Sequence, residues 1–117
     1  MKVLLFQPRF AALVAAGTKR QTIRPMRKRP IRVGDELSLR RWSGAAYRSR
    51  QILLRNATCT GVFGIHVRRD NVFLDAGKPP LLLEEFARQD GFKFFAEMAE
   101  WFKRIHGLPF SGVLIAW

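Results

Sequence analysis

Gly17-Thr18-Lys19-Arg20-Gln21-Thr22-Ile23-Arg24-Pro25 marks the point where a short helix gives way to a strand. Upstream, Pro8 suits the first turn of a helix, and Phe10, Leu13 and Val14 recur at helical spacing. Glycine adopts positive φ without a Cβ penalty, so Gly17 reads as the helix stop. Residues 20–24 then read as extended, and Pro25 limits their continuation. Side chains alternate along a strand, so Ile23 is expected in the core while Thr22 and Arg24 share the opposite face with Arg20. A lysine, a hydroxyl and guanidinium groups gathered on one surface suit a phosphate, a nucleobase or an acyl group.

On either side the pattern continues. Residues 2–6 read as a first strand. Met26-Arg27-Lys28-Arg29-Pro30 is a proline-bounded basic loop, read as a mobile polyanion-contacting segment in preference to a localisation signal. Val33-Gly34-Asp35 turns into a strand at 36–42, where Leu37 and Leu39 alternate with polar Glu36, Ser38 and Arg40. A loop at 43–46 precedes strands expected over roughly 51–56 and 57–68, with a short one at 71–74 ended by Gly77-Lys78-Pro79-Pro80.

The remainder is helical until its end. A helix at 84–90 is expected to carry Glu84 and Arg88 as an i,i+4 pair and to stop at Gly91. A second, at 93–105, has Phe95, Met98, Ala99, Phe102 and Ile105 as one apolar stripe, with Glu100 and Arg104 paired on its other side. The apolar run at 112–117 is a buried last strand. This order predicts one α+β domain over 1–117: a small, partly open β-barrel of five to six strands with about three flanking short helices.

Composition narrows the function. At 117 residues and 48% apolar content the chain suits one folded domain with a real core. No apolar run approaches the roughly 18 residues of a membrane span. Gln7-Pro8-Arg9 interrupts the initial apolar segment too early for a signal peptide, so the chain reads as cytoplasmic. Cys59 is the only cysteine, which excludes an internal disulfide and a thiol-rich metal site. It reads as a buried structural thiol inside a strand. His66 and His106 lie far apart in sequence, and no metal or other cofactor is expected.

The net charge is +12 and uneven: residues 1–69 hold 16 Lys/Arg against 2 Asp/Glu, whereas 70–117 hold 5 against 7. Such a bias predicts salt-sensitive attraction to polyanions, nucleic acid first among them. No basic amphipathic helix points to a membrane surface.

Several of these segments together resemble the ASCH domain (activating-signal-cointegrator homology), a PUA-like β-barrel family. The residues that carry the resemblance are Gln7-Pro8, the Gly17-x-Lys19-x-x-Thr22-x-Arg24 signature and Val33-Gly34-Asp35. Cys59-Thr60, Phe86-Ala87-Arg88-Gln89-Asp90-Gly91-Phe92 and Gly107-Leu108-Pro109-Phe110 extend it nearly end to end. The chain is similar to the small, single-domain versions found in bacteria and their phages. The resemblance implies a cleft beside the first helix, floored by the signature, and an association with RNA or other nucleic acid. Some compact members are amidohydrolases that deacylate N4-acetylcytidine and related bases with a lysine, a threonine and a glutamate; others have been proposed to be ribonucleases. Carried over, the lysine falls on Lys19 and the threonine on Thr22. The glutamate falls on Asp90, one methylene shorter, with Glu84 and Glu85 as neighbouring carboxylates.

Two functions follow as expectations. As a binding domain, the protein would take RNA, another single-stranded nucleic acid, or a nucleoside or nucleotide. Arg20, Arg24, Arg27, Lys28, Arg29 and Arg32 would track phosphates. Trp42 and Tyr47 would offer stacking faces, flanked by Arg40, Arg41, Arg48 and Arg50. As a metal-independent hydrolase, Lys19 would act as base, Thr22 as nucleophile and Asp90 as the orienting acid. A protein-interaction module has less in its favour, because the second helix carries a single apolar stripe.

Overall fold

The computed structural model describes residues 1–75 and 82–117, so the turn expected at 77–80 lies outside the described residues. Its elements run β1 (Lys2–Leu5), α1 (Pro8–Ala16), β2 (Gln21–Arg24), β3 (Glu36–Trp42), β4 (Gln51–Thr58), β5 (Gly61–Val67) and β6 (Val72–Leu74). Helices α2 (Leu83–Gln89) and α3 (Phe95–Ile105) and the strand β7 (Phe110–Ala116) complete the order. Pro8 opens α1, and Gly17 closes it at φ 81° with its N–H on the Leu13 and Val14 carbonyls. Thr18 and Lys19 then both donate to Leu13 O, which turns the chain towards β2.

The strands make two sheets, ordered β1-β3-β4 and β2-β7-β5-β6. Among the described residues β1 and β3 pair in parallel and the other pairs are antiparallel. The described residues hold seven strands, against the five to six expected of the barrel, and β1 and β6 are short edge strands. The break expected at 56/57 falls later. Cys59 donates its N–H to Asp35 O at 2.8 Å and Thr60 donates to Ala116 O at 2.9 Å. At these two residues the chain passes from β4 in one sheet to β5 in the other. Cys59 therefore lies between strands, yet it is fully buried, and that burial raises its thiol pKa.

Sheet β1-β3-β4 overrides the alternation expected in β3. Ser38 is as buried as Leu37 and Leu39, and its hydroxyl accepts from Arg40 Nε at 2.7 Å. The core combines Leu4, Val14, Leu37, Leu39, Ile65 and Val67 with Met98 and Phe102 of α3. Phe95, Met98, Ala99 and Phe102 form the buried stripe, while Ile105 emerges at the end of the helix.

The helix charges pair differently from the expectation. Arg88 meets Glu85 at 2.8 Å, and Glu84 instead accepts the Phe95 N–H at 2.9 Å, satisfying an open donor at the start of α3. The Glu100–Arg104 pair is not among the ion pairs of the described residues, whereas Glu97 binds Arg9 at 3.0 Å. Among the described residues no helix is long and apolar enough to cross a membrane.

Candidate functional site

Two glycines bring a lysine and an aspartate together inside the protein. Gly17 turns the chain so that Lys19 points inward, and Gly91, at φ 97°, reverses it after Asp90 at the end of α2. A Cβ on Gly91 would stand 3.0 Å from the Phe10 ring and 3.1 Å from Lys19 Cδ, so both conformation and space require glycine. The Lys19 amine donates to the Asp90 carbonyl and lies 3.4 Å from its Oδ1, with each side chain 3% exposed. It also stands 4.7 Å over the Phe10 ring.

Electrostatics follow from that burial. Desolvation lowers the Lys19 pKa against the pull of Asp90, with Arg24 and Arg9 adding to the fall. Desolvation pushes Asp90 up to about 6, opposed chiefly by Lys19. Gln21 is buried beside this pair and favours the Asp90 charge, with no partner in hydrogen-bond geometry for its Nε2 among the described residues.

Thr22 and Arg24 extend from β2 on a shared face. Thr22 Oγ1 accepts from Arg24 Nε at 3.3 Å, and Arg24 Nη2 donates to Leu5 O at 2.6 Å. The guanidinium lies 4.9 Å over the Phe6 ring. Burial, reinforced by Arg27, lowers Arg24 to about 10, so it remains a cation at neutral pH.

Two cavities adjoin here. The smaller, about 230 Å³, is lined by Lys19, Thr22, Arg24 and Asp90 together with Phe10, Phe92, Trp101 and His106. The larger, about 670 Å³, is lined by Arg24, Arg27, Trp42 and Tyr47 over an apolar wall that includes Phe6, Val113 and Ile115. Leu5, Phe6, Gln7, Arg24 and Pro25 line both.

No protein-family model, curated protein or solved structure matches the chain.

The fold thus gathers some of the expected residues and scatters others. Lys19, Thr22 and Asp90 line one cavity, though the Thr22 hydroxyl is hydrogen-bonded to Arg24 and not to Lys19. Glu84 and Glu85 are exposed and occupied elsewhere. Arg20 is exposed and folds back onto Gly17 O at 3.2 Å, so it does not join Thr22 and Arg24 in the cavity. Arg27 lines the larger cavity, while Lys28, Arg29 and Arg32 stand exposed outside both. Arg40 is held by Ser38 and Gln51, and Arg41 by the Trp42 carbonyl. Trp42 and Tyr47 meet with ring centroids 5.2 Å apart at 50°. Arg48 and Arg50 are exposed on the same 43–50 loop.

Sequence reading missed the aromatic box around the lysine. Phe10, Phe92 and Trp101 contact one another edge-on or tilted at 5.5–5.8 Å. Phe10 belongs to the helical stripe and Phe92 follows Gly91, so both look like ordinary core residues. Among the described residues no group of three His, Cys, Asp or Glu side chains is placed to hold a metal ion.

Proposed function

We propose that the protein binds single-stranded nucleic acid, RNA foremost, in the cleft formed by the two adjoining cavities. The observation that carries this reading is the larger cavity, where two arginines and two stackable rings line one apolar-walled space. The chain's net charge of +12 supports it, since the phosphate backbone dominates such affinities. We read the fold as a PUA-like, ASCH-type barrel, partly open. Its sheets are joined at 59–60, and β1 and β2 are unpaired with each other, linked by the Arg24 bond to Leu5.

The test is titration of labelled single-stranded RNA and DNA over a series of salt concentrations. Log affinity should fall linearly with log salt, by about 0.7 per phosphate contact, and Arg27→Ala should lower that slope by about one contact. Absent or salt-independent binding at low ionic strength overturns the reading.

A second reading has one observation in its favour: Lys19, Thr22 and Asp90 share the smaller cavity. With its pKa lowered by burial, Lys19 could take the Thr22 proton as the hydroxyl attacks an amide carbonyl. The acyl group would pass to Thr22 Oγ1 as the C–N bond breaks, the amine would leave with the proton that Lys19 had taken, and water would then release the acid. Incubation with N4-acetylcytidine checks this: cytidine release by wild type and not by Thr22→Val with an unchanged melting temperature supports it, and equal release removes it.

A further inference from the structure

Arg24 stands where the two cavities meet, and its surroundings ask for an anion. Two of its five N–H donors are engaged, by Thr22 and by Leu5 O. Arg27 lines the larger cavity beside it, close enough for the two charges to repel. Among the described residues neither arginine forms an ion pair, and Asp90 is the carboxylate that acts on Arg24. Two neighbouring cations facing one cavity are stabilised by a ligand that brings negative charge to their midst.

The two spaces on either side differ in size and lining. The smaller, about 230 Å³, lies below the roughly 300 Å³ at which sites for drug-sized ligands begin, so it suits one flat ring against the wall that Phe10, Phe92 and Trp101 form. The larger, about 670 Å³, falls within the range of such sites and has the Trp42–Tyr47 pair at its edge.

Tyr47 is an unusual residue in its own right. It is the one non-glycine at positive φ among the described residues, at 63°, and its side chain is 87% exposed. That backbone conformation is strained outside glycine and persists where surrounding structure enforces it. Here Ser49 enforces it: its hydroxyl accepts from Gly44 N–H at 3.0 Å and donates to Ala45 O at 2.8 Å. The loop therefore holds a large exposed ring over a cavity mouth.

We infer that the cleft recognises a dinucleotide step of single-stranded nucleic acid, with one base in each cavity and the linking phosphate at Arg24 and Arg27. This rests on the nucleic-acid reading above and specifies its register. Splayed, unstacked bases on aromatic side chains are the usual form of single-strand recognition. A single nucleotide leaves one cavity empty, and a long acyl chain leaves both arginines unanswered.

The experiment is calorimetric titration with cytidine monophosphate, the dinucleotide CpC, the trinucleotide CpCpC and a twelve-residue oligocytidylate. CpC should bind about tenfold more tightly than the monophosphate despite carrying less charge, the effect of one added stacked base. CpCpC should add only a small further gain. Tyr47→Gly, which relaxes the backbone, should abolish the CpC advantage with the melting temperature near wild type. Tyr47→Phe should retain it. Equal binding of the monophosphate and CpC, or a CpC advantage untouched by Tyr47→Gly, overturns the inference. If the oligocytidylate still binds with a salt slope in that case, only the dinucleotide register fails. If it does not bind at low salt, the nucleic-acid reading fails as well.

Discussion

Around Lys19 the cleft wall is built of buried charge positioned by two glycine turns; around Tyr47 it is built of exposed rings carried on a hairpin loop. The first region is tied into the core through Phe10, Phe92 and Phe102, so a change there disturbs folding as well as ligand. The second hangs from the ends of β3 and β4, and its side chains can be altered with little effect on the core. Affinity and stability should therefore separate between the two regions. A ligand that spans them would gain rigidity from one and aromatic surface from the other.

The sharpest way to break this comparison is to remove half of the buried pair. Lys19→Ala or Asp90→Ala leaves an uncompensated charge and should cost about 3–5 kcal/mol in urea unfolding, whereas Lys19→Met with Asp90→Asn should recover most of that loss. Single variants as stable as wild type would show that the pair is not buried in solution.

Next in size is the pH dependence. The folded pKa of Asp90, about 6, exceeds its unfolded value, so the native state holds the extra proton between about pH 4 and 6. Stability contributed by that proton is present below this window and is lost as pH rises through it, on the order of 3 kcal/mol. Asp90→Asn should flatten the stability–pH curve there, and an unchanged slope counts against the assignment.

Arg24→Ala should be felt in both regions. It removes a charged hydrogen bond to Leu5 O worth about 1.5–3 kcal/mol and, on the proposed function, weakens oligonucleotide binding at every salt concentration. Ser49→Ala is the mildest. It loosens only the 43–50 loop, costing about 1 kcal/mol by thermal melting, and should weaken ligands that use Tyr47 without changing the Asp90 titration.

Local rules made much of the frame legible. Pro8 and Gly17 bounded α1, Gly91 followed α2, and Leu37 and Leu39 marked β3, because caps and periodicity act within a few residues. The pairing of Glu84 with Phe95 and of Arg88 with Glu85 was not legible from spacing alone, since α3 begins close enough to α2 to claim Glu84 as its cap. The burial of Ser38 escaped for a related reason: alternation presumes a solvent face, and the Arg40 side chain two residues on lies over Ser38 and bonds its hydroxyl. Within the site, Lys19, Thr22 and Arg24 stood out by residue type. Phe10, Phe92 and Trp101 did not, because an aromatic that lines a cavity has the same sequence signature as one that fills a core.

The position of β7 has a consequence for how the chain matures. This strand, at Phe110–Ala116, lies inside its sheet between β2 and β5, and its Val113 and Ile115 form part of the larger cavity. While the chain emerges from the ribosome, β2 and β5 have no partner to join them, and pairings across such long sequence distances form slowly. The basic residues of the first half are then exposed without a cleft to direct them. Arrival of residue 116 completes the sheet and the cavity wall in one step, so the cavity beside Arg24 takes shape only once that last strand has paired.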